Sequence, residues 1–159
     1  MIRVAVVTIS DSTAAGARAD LSGPALEQHI HQLGWIVAAR KLLPDDVLQI
    51  AQALTELADG GTVDLILTTG GTGLGPRDVT PEATKAAAHR EVPGFGELMR
   101  AEGFKTTRFA PLSRGGAATR GETLIVNLPG SPLGAVDSFT AVAHLIPHAV
   151  DLLHGRTQH

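Results

Sequence analysis

The sequence predicts an α/β domain built on a mainly parallel sheet with helices over both of its faces. Three observations predict it: apolar, β-branched runs of strand length, segments of helical periodicity between them, and turn residues at the joins. Residues 2–10 are nearly continuous in apolar and β-branched side chains, the pattern of a strand buried on both faces. Residues 24–33 set Leu26, Ile30 and Leu33 at helical spacing, and Gly34 ends the segment. Residues 35–43 read as a second strand, closed by Pro44. Asp45 is placed to cap the next helix, in which Val47, Ala51, Leu54 and Ala58 share a face. A third buried strand covers Leu65 to Thr69, and Thr80-Pro81 offers a hydroxyl at the N-cap with proline at the first helical position. Residues 85–122 are less regular: Pro93-Gly94 is a break, residues 95–101 suit a short helix, and 113–121 are rich in glycine and arginine. A fourth strand covers Thr123 to Leu128. The last helix starts at Ser131-Pro132, with an apolar stripe of Val136, Phe139, Ala143, Ile146, Val150 and Leu153. Pro147 is expected to kink that helix, because the carbonyl of Ala143 loses its partner.

With 159 residues, 43% of them apolar, the chain is expected to form one domain over 1–159. No apolar run reaches the roughly 20 residues of a membrane span. An apolar strand follows Met1 directly, so no secretory signal is expected. Zero cysteines exclude disulfides and thiolate metal sites and suit a cytoplasmic setting. A net charge of −3 and only five aromatics (four Phe and one Trp) argue against nucleic acid as a partner.

Polar groups gather where the predicted strands end, which is where open α/β sheets bind ligands. The first strand finishes in Thr8, Ser10 and Asp11, and the second leads into Pro44-Asp45-Asp46. The third runs into Thr69-Gly70-Gly71-Thr72-Gly73-Leu74-Gly75, followed by Arg77 and Asp78; the fourth enters Asn127-Leu128-Pro129-Gly130-Ser131. The glycine loop lacks the Gly-Lys-Ser/Thr of a P-loop and misses the dinucleotide spacing. Glycines nevertheless let main-chain N–H groups turn toward an anion, an arginine binds phosphate, and a carboxylate can hold the accompanying metal. Asp45 and Asp78 are the carboxylates that suit this role. Their alternatives are structural: Asp45 capping its helix and Asp78 closing a turn. Asp46 reads better as a favourable charge in the first helical turn. His144, His148 and Asp151 share one helical face, but that face lies away from the apolar stripe and reads as solvated surface. No serine occupies a Gly-x-Ser-x-Gly elbow.

At these residues the chain closely resembles the molybdopterin adenylyltransferases, the MogA/MoaB family of molybdenum cofactor biosynthesis. The resemblance lies in TTGGTG with PRDVTPEAT over 68–84, TISD at 8–11, LLPDD at 42–46, PGFGELMR at 93–100, LSR at 112–114 and NLPGSP at 127–132. It implies a three-layer α/β sandwich, usually a homotrimer, that joins the phosphate of molybdopterin to the AMP part of ATP with Mg²⁺ and releases pyrophosphate. It also implies that Asp45 and Asp78 are the essential aspartates and metal ligands. Thr8, Ser10, Thr69, Gly70, Gly71, Thr72 and Gly73 then map onto substrate- and nucleotide-contacting positions; from their place at the strand ends Asp11 and Arg77 are candidate contacts too, with solvent as the alternative for Arg77. Ser113, Asn127, Pro129, Gly130 and Ser131 are expected around the pterin and its phosphate. A downstream molybdenum insertase is an implied partner, and no membrane is. Two other readings stay open: a binding-only molybdopterin paralogue, and a hydrolase of nucleotide derivatives on the same scaffold.

Overall fold

The computed structural model describes residues 1–157; the last two residues of the expected 1–159 domain lie outside the described residues. Its elements are β1 (Arg3–Ile9), α1 (Asp11–Ala14), α2 (Ser22–Gln32), β2 (Ile36–Leu43), α3 (Val47–Asp59), β3 (Leu65–Thr69), α4 (Thr80–Ala87), β4 (Arg90–Val92), α5 (Pro93–Phe104), β5 (Ala117–Arg120), β6 (Thr123–Leu128), α6 (Pro132–Ala143) and α7 (Ile146–Leu153). They form one six-stranded sheet of order β2-β1-β3-β6-β5-β4. β2, β1, β3 and β6 run parallel, while β5 is antiparallel to both β6 and β4. The expected mainly parallel three-layer sandwich is therefore present.

Alternation along the central strands supplies both faces with apolar side chains. Val4, Val6, Leu65, Leu67, Leu124, Val126 and Leu128 meet α2, α5, α6 and α7, with Phe139 at the centre of that layer. Ala5, Val7, Ile9, Ile66 and Ile125 meet α3 and α4 on the other face. Burying a side chain such as Phe139 or Leu54 contributes about 2–3 kcal/mol each.

Several expectations are corrected. The buried line of α3 is Ile50, Ala53, Leu54 and Leu57, and Val47, Ala51 and Ala58 only flank it. Leu33 lies past the end of α2 and is exposed. Pro93-Gly94 is not a break but the first turn of α5, which runs on to Phe104, because proline at the helix start loses no bond. Pro147 does more than kink the last helix. The chain divides at His144-Leu145, and Pro147 sits in the first turn of α7. Thr80 does not cap α4 with its side chain; its hydroxyl donates to Gly70 O at 2.8 Å. Ser131 does cap α6, accepting from Gly134 N at 3.1 Å.

Candidate functional site

The chain leaves β1 toward β2 on one side, then returns to place β3 on the other side of β1. That reversal opens a crevice beyond the carboxyl ends of β1 and β3, the switch point of the sheet. A cleft of about 530 Å³ occupies it, lined by Thr8, Ser10, Asp45, Thr69, Gly70, Gly71, Asp78, Gly130 and Ser131 among others. Nine of the expected site residues, drawn from all four parallel strand ends, thus share one cavity. A second hollow of about 480 Å³, lined by Thr72, Gly73, Ser113 and Pro129, adjoins it through Gly71, Asp78 and Gly130. A third, mostly apolar cavity of about 360 Å³ takes in Ser113, Asn127, Pro129 and Ser131.

Asp45 does not cap α3. That task falls to Asp46, whose carboxylate accepts from Gln49 N at 2.9 Å. Relieved of it, Asp45 faces the cleft and exchanges bonds with Asp11: each backbone N–H donates to the other's carboxylate at 3.0 Å. Burial pushes the Asp45 carboxyl above the usual range, and the charges of Asp11 and Asp78 push it the same way. Asp11 is lowered instead, chiefly by the two-pronged contact with Arg77 (2.9 and 3.0 Å) and then by the N–H of Asp45. Asp11 and Arg77 therefore neutralise each other at the surface, and neither lines the cleft.

Glycine is required where the loop leaves β3. Gly70 has φ +108°, and a Cβ there would collide with Ile9 O; Gly71 has φ +70°, and a Cβ would strike the Thr80 hydroxyl. The N–H of Gly70 is spent on Leu128 O at 3.1 Å, so the run of donors without a partner among the described residues starts only at Gly71. Thr69 donates to Pro129 O at 2.7 Å, tying the loop to the residues after β6. Asp78 closes its own turn, accepting from Gly75 N at 2.9 Å, yet still faces the cavity. Its Oδ2 would lie 2.8 Å from a Cβ on Gly73. Capping and turn closure are thus split: the structural alternative fails for Asp45 and coexists with a cleft position for Asp78.

Two further expected residues are committed to scaffolding. The Asn127 amide donates to the buried Thr68 hydroxyl at 2.9 Å, and Ser113 Oγ accepts from Gly115 N at 3.2 Å. Sequence reasoning missed Arg18, Asp20 and Ser22, which line the cleft. Asp20 accepts from Thr8 Oγ1 at 2.8 Å and from Gly23 N at 3.0 Å. An acid three residues before that first-turn N–H is a capping signal, and it marks the true start of α2. It also missed Arg114, which reaches the back of the glycine loop. Among the described residues no group of three or more His, Cys, Asp or Glu is arranged to hold a metal, and His144 and His148 are simply exposed.

Residues 5–148 match the family model described as a probable molybdopterin binding domain. The chain is 39% identical to the molybdopterin adenylyltransferase of Helicobacter pylori, covering 97% of this chain and 89% of that one. It is 37% identical to the Escherichia coli molybdopterin adenylyltransferase, covering 97% and 86%. Among solved structures, the molybdopterin biosynthesis enzyme MoaB of Thermus thermophilus superposes with a TM-score of 0.92 at 49% identity, over 98% of each chain. A mainly parallel sheet whose strand ends meet in one acidic, glycine-lined cleft, together with these similarities, places the chain in the molybdopterin-binding family of molybdenum cofactor biosynthesis proteins.

Proposed function

We propose that this chain is a molybdopterin adenylyltransferase, transferring AMP from ATP to the phosphate of molybdopterin and releasing pyrophosphate. One observation carries the proposal: Asp45 and Asp78, from separate strand ends, line one cleft that adjoins a second hollow at Gly71, Asp78 and Gly130. Two cavities that meet at a carboxylate suit two substrates that meet at a phosphate. The nucleotide is assigned to the cleft of Thr8, Ser10 and Asp45, and the pterin to the hollows lined by Ser113, Asn127 and Pro129.

The reaction forms a bond from a molybdopterin phosphate oxygen to the α-phosphorus of ATP and breaks the bridge to the β-phosphorus. Pyrophosphate leaves with the electron pair. An ionised phosphate needs no general base, so the difficulty is bringing two polyanions together. The N–H groups from Gly71 onward face that charge. Mg²⁺ fits the donor set: among the described residues the acids are not gathered into a cage of three or more ligands, which suits an ion that keeps waters and takes substrate phosphates. Burial, and then the charges of Asp11 and Asp78, raise the Asp45 carboxyl, and a cation beside it would act against both. Asp78 and Asp45 would hold the ion, and when bound it offsets charge on the α-phosphate and the departing pyrophosphate.

We further propose a cytoplasmic homotrimer that passes its product to a molybdenum insertase. Phe104, Phe109, Leu112 and Leu133 are exposed and offer apolar surface for self-association. No helix among the described residues is long and apolar enough to cross a membrane. Incubation with molybdopterin and Mg-ATP tests the activity: pyrophosphate is expected in step with adenylyl-molybdopterin. Molybdopterin binding without pyrophosphate would mark a binding-only protein, and AMP released without any pterin would mark a hydrolase.

A further inference from the structure

Four consecutive carbonyls of the glycine-rich loop are held, two by Thr80 and two by Arg114. Gly70 O accepts from Thr80 Oγ1 at 2.8 Å and Gly71 O from Thr80 N at 3.1 Å. Thr72 O accepts from Arg114 N at 2.8 Å and Gly73 O from Arg114 Nε at 2.9 Å. Across a trans peptide the next N–H points opposite to the carbonyl, and no peptide bond among the described residues is cis. Fixing those oxygens therefore turns the N–H groups of Gly71 and Thr72 away from Thr80 and those of Gly73 and Leu74 away from Arg114. None of these four donors finds an acceptor among the described residues, although Gly70 N and Gly75 N on either side of them do. Aligned N–H groups without partners are completed by an anion.

The two halves of this clamp differ. Thr80 belongs to α4, directly after the loop, whereas Arg114 arrives from the far side of the chain. Its Nη2 also donates to Asp78 O at 2.8 Å, and its Nη1 pairs with the Glu82 carboxylate. One side chain thus ties the loop's middle, its acidic end and the first turn of α4 together. Only a planar fork with several fixed donors can do this; an ammonium cannot.

We propose that Arg114 is a positioning residue for adenylyl transfer, acting through the loop: its guanidinium fixes the Gly73 carbonyl, and with it the Leu74 N–H, together with the main chain of Asp78. The proposal rests on the phosphate role given to the loop above.

Arg114→Lys, Arg114→Ala and Glu82→Gln test it, with magnesium pyrophosphate as the calorimetric probe beside kcat, KM and Tm. Arg114→Lys is expected to weaken pyrophosphate binding and to reduce kcat/KM for Mg-ATP by about tenfold each. The KM for molybdopterin and the Tm should stay close to wild type. Arg114→Ala should lose at least as much and regain part of it with added guanidinium, a rescue that a purely structural role would not show. Glu82→Gln, which removes the charge facing Nη1 but keeps an oxygen for it, should lose about threefold in the same parameters. Wild-type pyrophosphate affinity and turnover in Arg114→Lys would overturn the proposal. Equal losses for pyrophosphate and molybdopterin with a fallen Tm would do so too. A wild-type protein that binds pyrophosphate but transfers no adenylyl group would sink the enzymatic reading alone, leaving the role of Arg114 to be decided by pyrophosphate affinity.

Discussion

Asp45 and Asp78 face one cleft, but the first is set by a neighbouring charge and the second by the main chain around it. Asp45 sits at the end of β2 and trades N–H bonds with Asp11, a like charge whose own fork partner is Arg77. Asp78 rides on the glycine loop, closes a turn onto Gly75, and has its carbonyl held from behind by Arg114. The Asp45 arm is therefore tuned electrostatically, since burial and repulsion raise its carboxyl. The Asp78 arm is tuned geometrically. A site that must accept a cation and several phosphates needs both: charge left unbalanced on one side, and fixed donors on the other.

Substitutions can separate the two arms. The largest effect is expected from Asp78→Asn, which keeps an oxygen for the Gly75 N–H and so preserves the turn while removing the charge. Turnover should fall by about 10³-fold, or ~4 kcal/mol, with molybdopterin still bound. Normal pyrophosphate release from that variant would remove Asp78 from the mechanism. Asp11→Asn comes next. It removes the charge beside Asp45 but leaves the Asp11 N–H in place, so the Asp45 carboxyl should drop toward its ordinary value. The acid limb of the turnover profile should then move to lower pH, with only a few-fold change near neutrality. An unmoved limb would show that Asp11 does not tune Asp45.

The smallest effect concerns stability. Because the folded protein raises the Asp45 carboxyl, it holds that proton more tightly than the unfolded chain does. The contribution to stability is full below the ordinary value of 3.8 and declines as pH rises through the raised one. Asp45→Asn escapes that decline and can still accept from the Asp11 N–H. It should melt about 2 °C above wild type at neutral pH, though inactive, with the difference vanishing in acid. A lower Tm at neutral pH would mean that the bond from Asp11 outweighs the burial and repulsion.

The same two arms show how far the sequence was legible. β1, β3 and β6 are continuous apolar runs, and the ends of β1, β2 and β3 placed Thr8, Asp45, Gly70 and Asp78 on one rim without coordinates. β4 and β5 escaped notice because three and four residues, with Arg90, Glu91 and Arg120 among them, carry too little apolar pattern. Asp45 and Asp46 are adjacent acids before one helix, and propensity alone cannot say which of them caps it. The structure gives the cap to Asp46, and that leaves Asp45 free for the cleft. Arg114 was illegible for another reason. Its partners Gly73 and Asp78 lie 41 and 36 positions away, and the hairpin of β5 and β6 that brings it back was itself unassigned.

The free donors of the 71–74 segment belong to the polypeptide itself. Replacing Thr72 or Leu74 with any residue but proline leaves each of those hydrogens on its nitrogen. The vulnerability moves to residues that never appear in the loop. A lineage that lost the guanidinium at 114 would keep every glycine and still lose the hold on the Gly73 and Asp78 carbonyls.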